Sequence, residues 1–194
     1  MKQFILSAFL LASFTLAANT TNPVTNGDTK TVNVEESTIT WTGKKVTGSH
    51  TGTINLQSGN LDFENGALVG GSFTIDMNTI VCTDLGEGGA RKLEGHLKSD
   101  DFFGVAENPT AGLTITGVEA GEEAGTYNIT ADITIKGITK PISFTANVGE
   151  SNATATVTID RSEFNVRYGS GSFFDNLGDK TIYDDFELVL DVKF

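Results

Sequence analysis

Cysteine, histidine and basic residues are scarce in this chain of 194 residues, and each scarcity excludes a class of protein. Cys82 is the only cysteine, so no internal disulfide can form and we expect a small, buried, unreactive thiol. His50 and His96 are the only histidines, and they are far from each other and from Cys82 in sequence. No His-Glu-x-x-His or Gly-x-Ser-x-Gly motif occurs, so we expect no metal site, no cofactor and no enzyme.

The shortage of positive charge limits the possible partners. Acidic residues outnumber basic ones by 25 to 13, which gives a formal net charge of −12. Nucleic acids and anionic membrane surfaces attract positively charged proteins, so this balance indicates no nucleic-acid partner. An acidic cluster at Asp175, Asp179, Asp184 and Asp185 lacks the spacing of a calcium loop, and we interpret it as a solvated surface.

Long hydrophobic runs are also missing, apart from one near the start of the chain. Residues 4–16 are apolar and follow Lys2, so residues 1–18 have the pattern of a secretory signal peptide. That run is too short for a comfortable membrane span, and the sequence offers no other candidate span. We therefore expect a periplasmic or secreted protein with a disordered lead-in at 19–29 and one domain at 30–194.

Most of that domain has the pattern of β-strands. Apolar residues alternate with Thr, Ser, Asn and Asp, as they do when one face of a strand is buried. About eight such segments occur; they centre near residues 41, 55, 75, 114, 132, 145, 158 and 190. The short link at Lys136 and Gly137 predicts a tight hairpin. This order predicts an all-β meander that forms either an up-and-down barrel or a sandwich.

One segment departs from the two-residue alternation of the strands. Leu93 and Leu97 are four residues apart within residues 91–98, which predicts a short helix. Phe102 and Phe103 follow directly. A helix and two aromatic residues inserted into a chain of strands suggest a lid over a hollow interior.

Four segments together make the chain similar to a known family. They are residues 95–103, 108–110, 132–141 and 159–164. In this order and spacing, the chain from about Thr31 to Phe194 resembles the YceI-like family of secreted, lipocalin-like proteins. The resemblance implies a single antiparallel lipocalin-like barrel of about eight strands with one short helix. It also implies a tunnel that binds an isoprenoid, a quinone tail or another long-chain lipid. Two regions depart from the family pattern, namely a glycine-rich lead at 82–90 and a long loop at 167–181.

Candidate ligand-binding residues follow from strand parity and from the lid. They are Trp41, Phe73, Ile75, His96, Phe102, Phe103, Ile133, Ile135, Phe144, Phe173, Phe174 and Leu188. Parity alone does not separate a tunnel wall from a packed core, and Trp41 fits either. Adjacent residues of a regular element face opposite ways, so we expect at most one of Phe102 and Phe103 to touch a ligand.

Several polar and aromatic positions have two interpretations. His96 either contacts the polar head of a ligand or fixes the helix to the barrel. Phe173 and Phe174 form a second gate at the rim or pack on the outside. Arg161 and Arg167 meet an anionic head group or, as we favour, form surface ion pairs.

Binding of a long apolar amphiphile, for transport or storage, is the expected function. The alternatives are a secreted structural or partner-binding barrel with a filled core, and an enzyme of lipid or quinone metabolism that uses His96. A homodimer is compatible with each alternative.

Overall fold

The computed structural model describes residues 27–194, and the expected signal peptide at 1–18 lies outside them. Nine strands and one α-helix make up the described chain. The strands are β1 (Gly27–Thr31), β2 (Asn33–Lys45), β3 (Gly48–Glu64), β4 (Ala67–Cys82), β5 (Thr110–Ala120), β6 (Thr126–Ile135), β7 (Ile138–Val148), β8 (Asn152–Asp160) and β9 (Ile182–Lys193). The helix α1 (Glu87–Lys98) lies between β4 and β5, and a short 3₁₀ turn, Arg161–Phe164, follows β8.

The strands form a closed antiparallel barrel, which confirms the predicted fold and excludes the sandwich. Strands β2 to β9 each pair with their sequence neighbours, and β9 pairs with β2 to close the ring. The short β1 is a ninth strand that pairs with the end of β3, from Gly27 opposite Glu64 to Thr31 opposite Asn60. Residues 27–29, which we expected to be part of the disordered lead-in at 19–29, belong to β1 and pair with β3, whereas residues 19–26 lie outside the described range.

Local turn chemistry agrees with the predicted meander. Lys136 and Gly137 connect β6 to β7 with φ of 51° and 72°, the left-handed pair that a two-residue hairpin favours. The turn between β3 and β4 is similar, with φ of 51° at Asn65 and 83° at Gly66. These turns set the register that places the apolar residues of each strand on the inner face.

Strands β7 and β8 are joined much less completely than the other neighbours. Their pairing covers three residue pairs, from Ala146 opposite Ala155 to Val148 opposite Ala153. In comparison, ten residue pairs join β6 to β7 and nine join β8 to β9. Toward the 3₁₀ turn the two strands are no longer paired, and we call this unpaired stretch, residues 138–145 and 156–160, the seam of the barrel wall.

Helix α1 covers one end of the barrel, which we call the lid end. It begins at Glu87, one turn before the predicted segment at 91–98, and it ends at Lys98 as expected. Ala90 and Leu97 are its buried residues, and α1 packs against β4. The helix is amphipathic, so burial of this apolar face holds it on the barrel.

Candidate ligand-binding interior

The inside of the barrel contains two apolar cavities, one behind the other along its axis. The cavity under α1, the lid-end chamber, has a volume of about 110 Å³. Its walls include Trp41, Gly43, Ile54, Met77, Ile80, Leu97, Phe102, Phe103, Ala111, Ile135, Arg161, Tyr183, Phe186 and Leu188. The other cavity, the far-end chamber, has a volume of about 90 Å³. Its walls include Ile39, Leu56, Leu68, Phe73, Ile75, Leu113, Ile129, Phe144, Ala155, Val157 and Leu190.

Side chains on the inner face are less buried than those of a packed core. Phe73, Ile75, Phe144 and Leu188 point inward by strand alternation, yet each stays partly accessible because it borders a chamber. Close-packed interiors contain few voids larger than a water molecule. Because the chamber walls are apolar, water gains no hydrogen bonds there, and an apolar guest fits better.

Phe102 and Phe103 both line the lid-end chamber. The argument from opposite facing does not apply to them, because these residues lie in a turn and not in a regular element. That at most one of them touches a ligand stays a prediction. The N–H of Phe103 donates to the Leu97 carbonyl at 3.1 Å, which folds the chain back under α1. Lys136 Nζ donates to the Phe102 carbonyl at 2.7 Å and fastens this turn to the β6–β7 hairpin.

His96 lies outside both chambers. Its ring packs edge-on against Tyr168, with centroids 4.3 Å apart, and against Phe102, with centroids 5.6 Å apart. Its Nε2 atom is buried and has no hydrogen-bond partner among residues 27–194. This placement supports the role of fixing the helix, since the ring joins α1 to the loop at 167–181.

Arg161 is buried in the wall of the lid-end chamber, with 2% of its surface exposed. Its guanidinium donates to the carbonyls of Val166, Tyr168, Ile182 and Tyr183 at 2.9–3.2 Å. It also lies 3.1 Å from Asp184 Oδ1. The favoured surface ion pair is therefore wrong for Arg161, because the residue ties the 3₁₀ turn and the following loop to β9. Burial lowers the pKa of Arg161, and the nearby Asp184 opposes that shift.

Arg167, by contrast, is exposed. Its guanidinium lies over the Phe173 ring, 4.9 Å from the centroid, and its Nε donates to Asn165 Oδ1. Phe173 and Phe174 are 38% and 50% exposed and line neither chamber. Phe174 instead borders an outer groove of the loop at 167–181 with Tyr168 and Lys180. Both aromatic residues lie near the lid end, and their role as a gate stays a prediction.

The segment that leads into α1 is attached to the barrel through Cys82, Asp84 and His50. The Cys82 thiol donates to Asp84 Oδ1 at 3.0 Å, and His50 Nδ1 lies 3.1 Å from Asp84 Oδ2. Glu94 Oε1 accepts the Cys82 N–H at 2.9 Å. Cys82 is buried, as expected, and desolvation raises the pKa of its thiol, so the thiol serves here as a hydrogen-bond donor.

The predicted site residues separate into three groups. Trp41, Phe102, Phe103, Ile135 and Leu188 line the lid-end chamber, and Phe73, Ile75 and Phe144 line the far-end chamber. Four others, His96, Ile133, Phe173 and Phe174, line neither one. The prediction missed wall residues such as Ala111, Leu97 and Leu56. Strand parity could have found Ala111 and Leu56, and the helical spacing could have found Leu97.

Among residues 27–194, His, Cys, Asp and Glu side chains do not gather in groups of three that could hold a metal ion. No helix within the same range is both long and apolar enough to cross a membrane.

Solved structures of other proteins share this fold. Burkholderia cenocepacia BcnA superposes with a TM-score of 0.65 and 20% identity, covering 83% of this chain and 98% of BcnA. A polyisoprenoid binding domain from Saccharophagus degradans gives a TM-score of 0.59 at 14% identity, covering 84% of this chain and 95% of that domain. At these identities the likeness establishes the fold alone.

Sequence comparison identifies the family. A UPF0312 protein of Pseudomonas paraeruginosa is 32% identical over 91 residues, which is 42% of this chain and 47% of the relative. One from Azotobacter vinelandii is 40% identical over 57 residues, or 28% of this chain and 29% of the relative. The chain thus matches less than half of the length of these relatives. The YceI-like domain, in contrast, matches residues 31–194, and the chain belongs to the YceI-like family.

Proposed function

We propose that the protein binds a long apolar chain, such as an isoprenoid, a quinone tail or a similar lipid, inside its barrel. The observation that carries this proposal is the pair of apolar chambers in line under a helical lid. A related fold in Saccharophagus degradans is a polyisoprenoid binding domain, which supports the same ligand class here.

Burial of apolar surface supplies the affinity. Each methylene removed from water contributes about 0.8 kcal/mol, so a tail that fills both chambers needs few polar contacts to bind tightly. Arg161 does not offer an anion site, because backbone carbonyls accept from four of its five N–H donors and the Asp184 carboxylate already lies 3.1 Å from the guanidinium. The polar head of the ligand accordingly lies outside the chambers.

The role that follows is that of a carrier or store of lipid in the periplasm or outside the cell, rather than that of an enzyme. A chain within the lid-end chamber does not meet His96, because that ring is enclosed by Phe102 and Tyr168. The proposed export from the cytoplasm is supported by the signal-peptide pattern at residues 1–18.

Extraction is the first experiment. The chain is exported from a bacterial host and purified without detergent, and the protein is then extracted with organic solvent for mass spectrometry. We expect an isoprenoid or another long-chain lipid in near-stoichiometric amount. A protein that carries no lipid, and takes up neither polyprenols nor fatty amphiphiles when they are offered, would favour the filled, partner-binding barrel.

A pair of matched variants locates the ligand. Ala111→Phe places a ring in the lid-end chamber, whereas Thr114→Phe adds the same ring on the outer face of β5. Trp41 is the only tryptophan and lines that chamber, so a quinone that enters it should quench the fluorescence of the protein. We expect Ala111→Phe to raise the Kd for the quinone in this titration by about tenfold or more, which corresponds to the loss of roughly two buried methylenes. Equal affinities for the two variants would place the ligand elsewhere.

A further inference from the structure

The walls of the two chambers are separate, and the boundary between them has a definite position. The chambers share no wall residue within the described chain. On β2, the neighbouring inward residues Trp41 and Ile39 line different chambers, and on β9 Leu188 and Leu190 do the same. The boundary therefore crosses the barrel between these positions.

On the next three strands around the barrel, β8, β7 and β6, isoleucines lie at that boundary. Ile133 of β6 and Ile159 of β8 are buried, and their side chains point inward by strand alternation. Ile142 of β7 is partly buried and packs against both clusters of core residues, one at each end of the barrel. These three residues line neither chamber, and they lie on three adjacent strands.

We propose that Ile133, Ile142 and Ile159 form a neck that selects ligands by shape, so that only a linear, flexible apolar chain can occupy both chambers. This inference rests on the proposed function. An extended prenyl chain is narrower than the fused rings of a sterol, so the neck admits the chain and excludes the ring system. A chain that threads the neck gains the burial of both chambers.

The seam between β7 and β8 allows the neck to widen. If their pairing continued in register from Ala146 opposite Ala155, Ile142 would lie opposite Ile159. The pairing stops before that point, so no ladder hydrogen bonds tie these two walls of the neck together. Separation of the two isoleucines then breaks no strand pairing, and a chain can pass between them.

A competition among prenols of different length tests the neck. The protein, stripped of lipid, is given geraniol, farnesol, geranylgeraniol and solanesol at equal concentrations, re-isolated and extracted for mass spectrometry. The wild-type protein should retain more solanesol than farnesol, because the longer chain reaches the far-end chamber. Ile142→Trp narrows the neck and should lower the ratio of bound solanesol to bound farnesol by about tenfold or more, since each methylene kept out of the far-end chamber costs up to about fourfold in affinity.

The matched control is Ser143→Trp, at the exposed neighbouring position of the same strand, which should keep the wild-type ratio. Circular dichroism checks that Ile142→Trp is folded. If the folded variant binds solanesol and farnesol in the same ratio as this control, the neck does not control access to the far-end chamber, and the inference is overturned. If Ile142→Trp does not fold, Ile142→Ala decides, because it opens the neck and must raise the ratio. An unchanged ratio for Ile142→Ala overturns the inference.

The two proposals fail in different ways. A wild-type protein that retains none of the four prenols contradicts lipid binding itself. A wild-type protein that retains them, with a length preference that the neck variants share, contradicts the neck alone.

Discussion

At the scale of single residues, the most demanding contact is the one between Gly52 and Trp41. The two residues are paired across β2 and β3, and the indole ring lies over the glycine. Trp41 Nε1 donates to the Val81 carbonyl at 3.1 Å, which holds the ring against the wall of the lid-end chamber. The ring keeps this position because residue 52 has no Cβ.

Gly52→Ala should therefore destabilise the protein severely. A Cβ at this position would lie 1.8 Å from the Val81 carbonyl oxygen and 2.6 Å from the nearest Trp41 ring atom, so backbone must shift. Overpacking of this kind costs about 3 kcal/mol or more of unfolding free energy. Gly43→Ala is the matched control, because its Cβ would meet nothing within 4 Å. Urea unfolding measures both variants, and a similar loss in the two would contradict the close contact.

At the scale of elements, the lid depends on how the lead of α1 is attached. The Cys82 thiol and His50 both bond to Asp84, and these hydrogen bonds lower the pKa of the Asp84 carboxyl, with the thiol as the largest cause. The attachment joins β3, β4 and the start of the helix. It therefore needs the ionised carboxylate, which accepts both bonds.

The stability that Asp84 contributes should depend on pH in the acidic range. Because its pKa is lower in the folded state, the contribution is complete above the unfolded value of about 3.9 and is lost as the pH falls through the folded pKa. Asp84→Asn removes it, so the difference in unfolding free energy between wild type and variant should shrink as the pH falls below about 4.

Urea titrations at a series of pH values check this dependence. Asp132→Asn, which removes an exposed aspartate of β6 outside the cluster, is the control for the loss of a surface carboxylate. A constant difference for Asp84→Asn would mean that the carboxylate does not support the lead of α1.

At the scale of the whole molecule, a hollow barrel has a stability that depends on its content. The inward residues of the far-end chamber, such as Phe73 and Phe144, lack the close packing that a filled core would give them. A bound chain supplies those missing contacts. The folded state then gains free energy by mass action, since the unfolded chain has no chamber.

Removal of the bound lipid should lower the thermal midpoint. A ligand at about 100 times its Kd adds roughly 2.7 kcal/mol, and this increment disappears when the protein is stripped on a hydrophobic resin. Reloading with the extracted lipid should restore the midpoint in wild type, and restore it much less in Ala111→Phe. Equal midpoints for loaded and stripped wild-type protein would contradict a ligand bound to the native state.

The strands, the helix and the family could be predicted from the sequence because the signals that indicate them are local. The alternation of Ile129, Ala131, Ile133 and Ile135 sets the inner face of β6, and the hairpin at Lys136 and Gly137 follows from residue type. The spacing of Leu93 and Leu97 indicated α1, and the four motif segments indicated the YceI-like family. Eight of the twelve predicted ligand-binding residues line a chamber, and six of these eight are strand residues whose inward direction follows from parity.

Only the tertiary structure decided what lies inside the barrel, because the interior is formed by contacts between residues far apart in sequence. Phe102 and Phe103 both face the chamber since their turn folds back on Leu97 and is held by Lys136. Arg161 is buried because carbonyls up to 22 residues away surround it. The proposed neck brings together Ile133, Ile142 and Ile159 from three strands, and no local pattern encodes the early end of the β7–β8 pairing beside it.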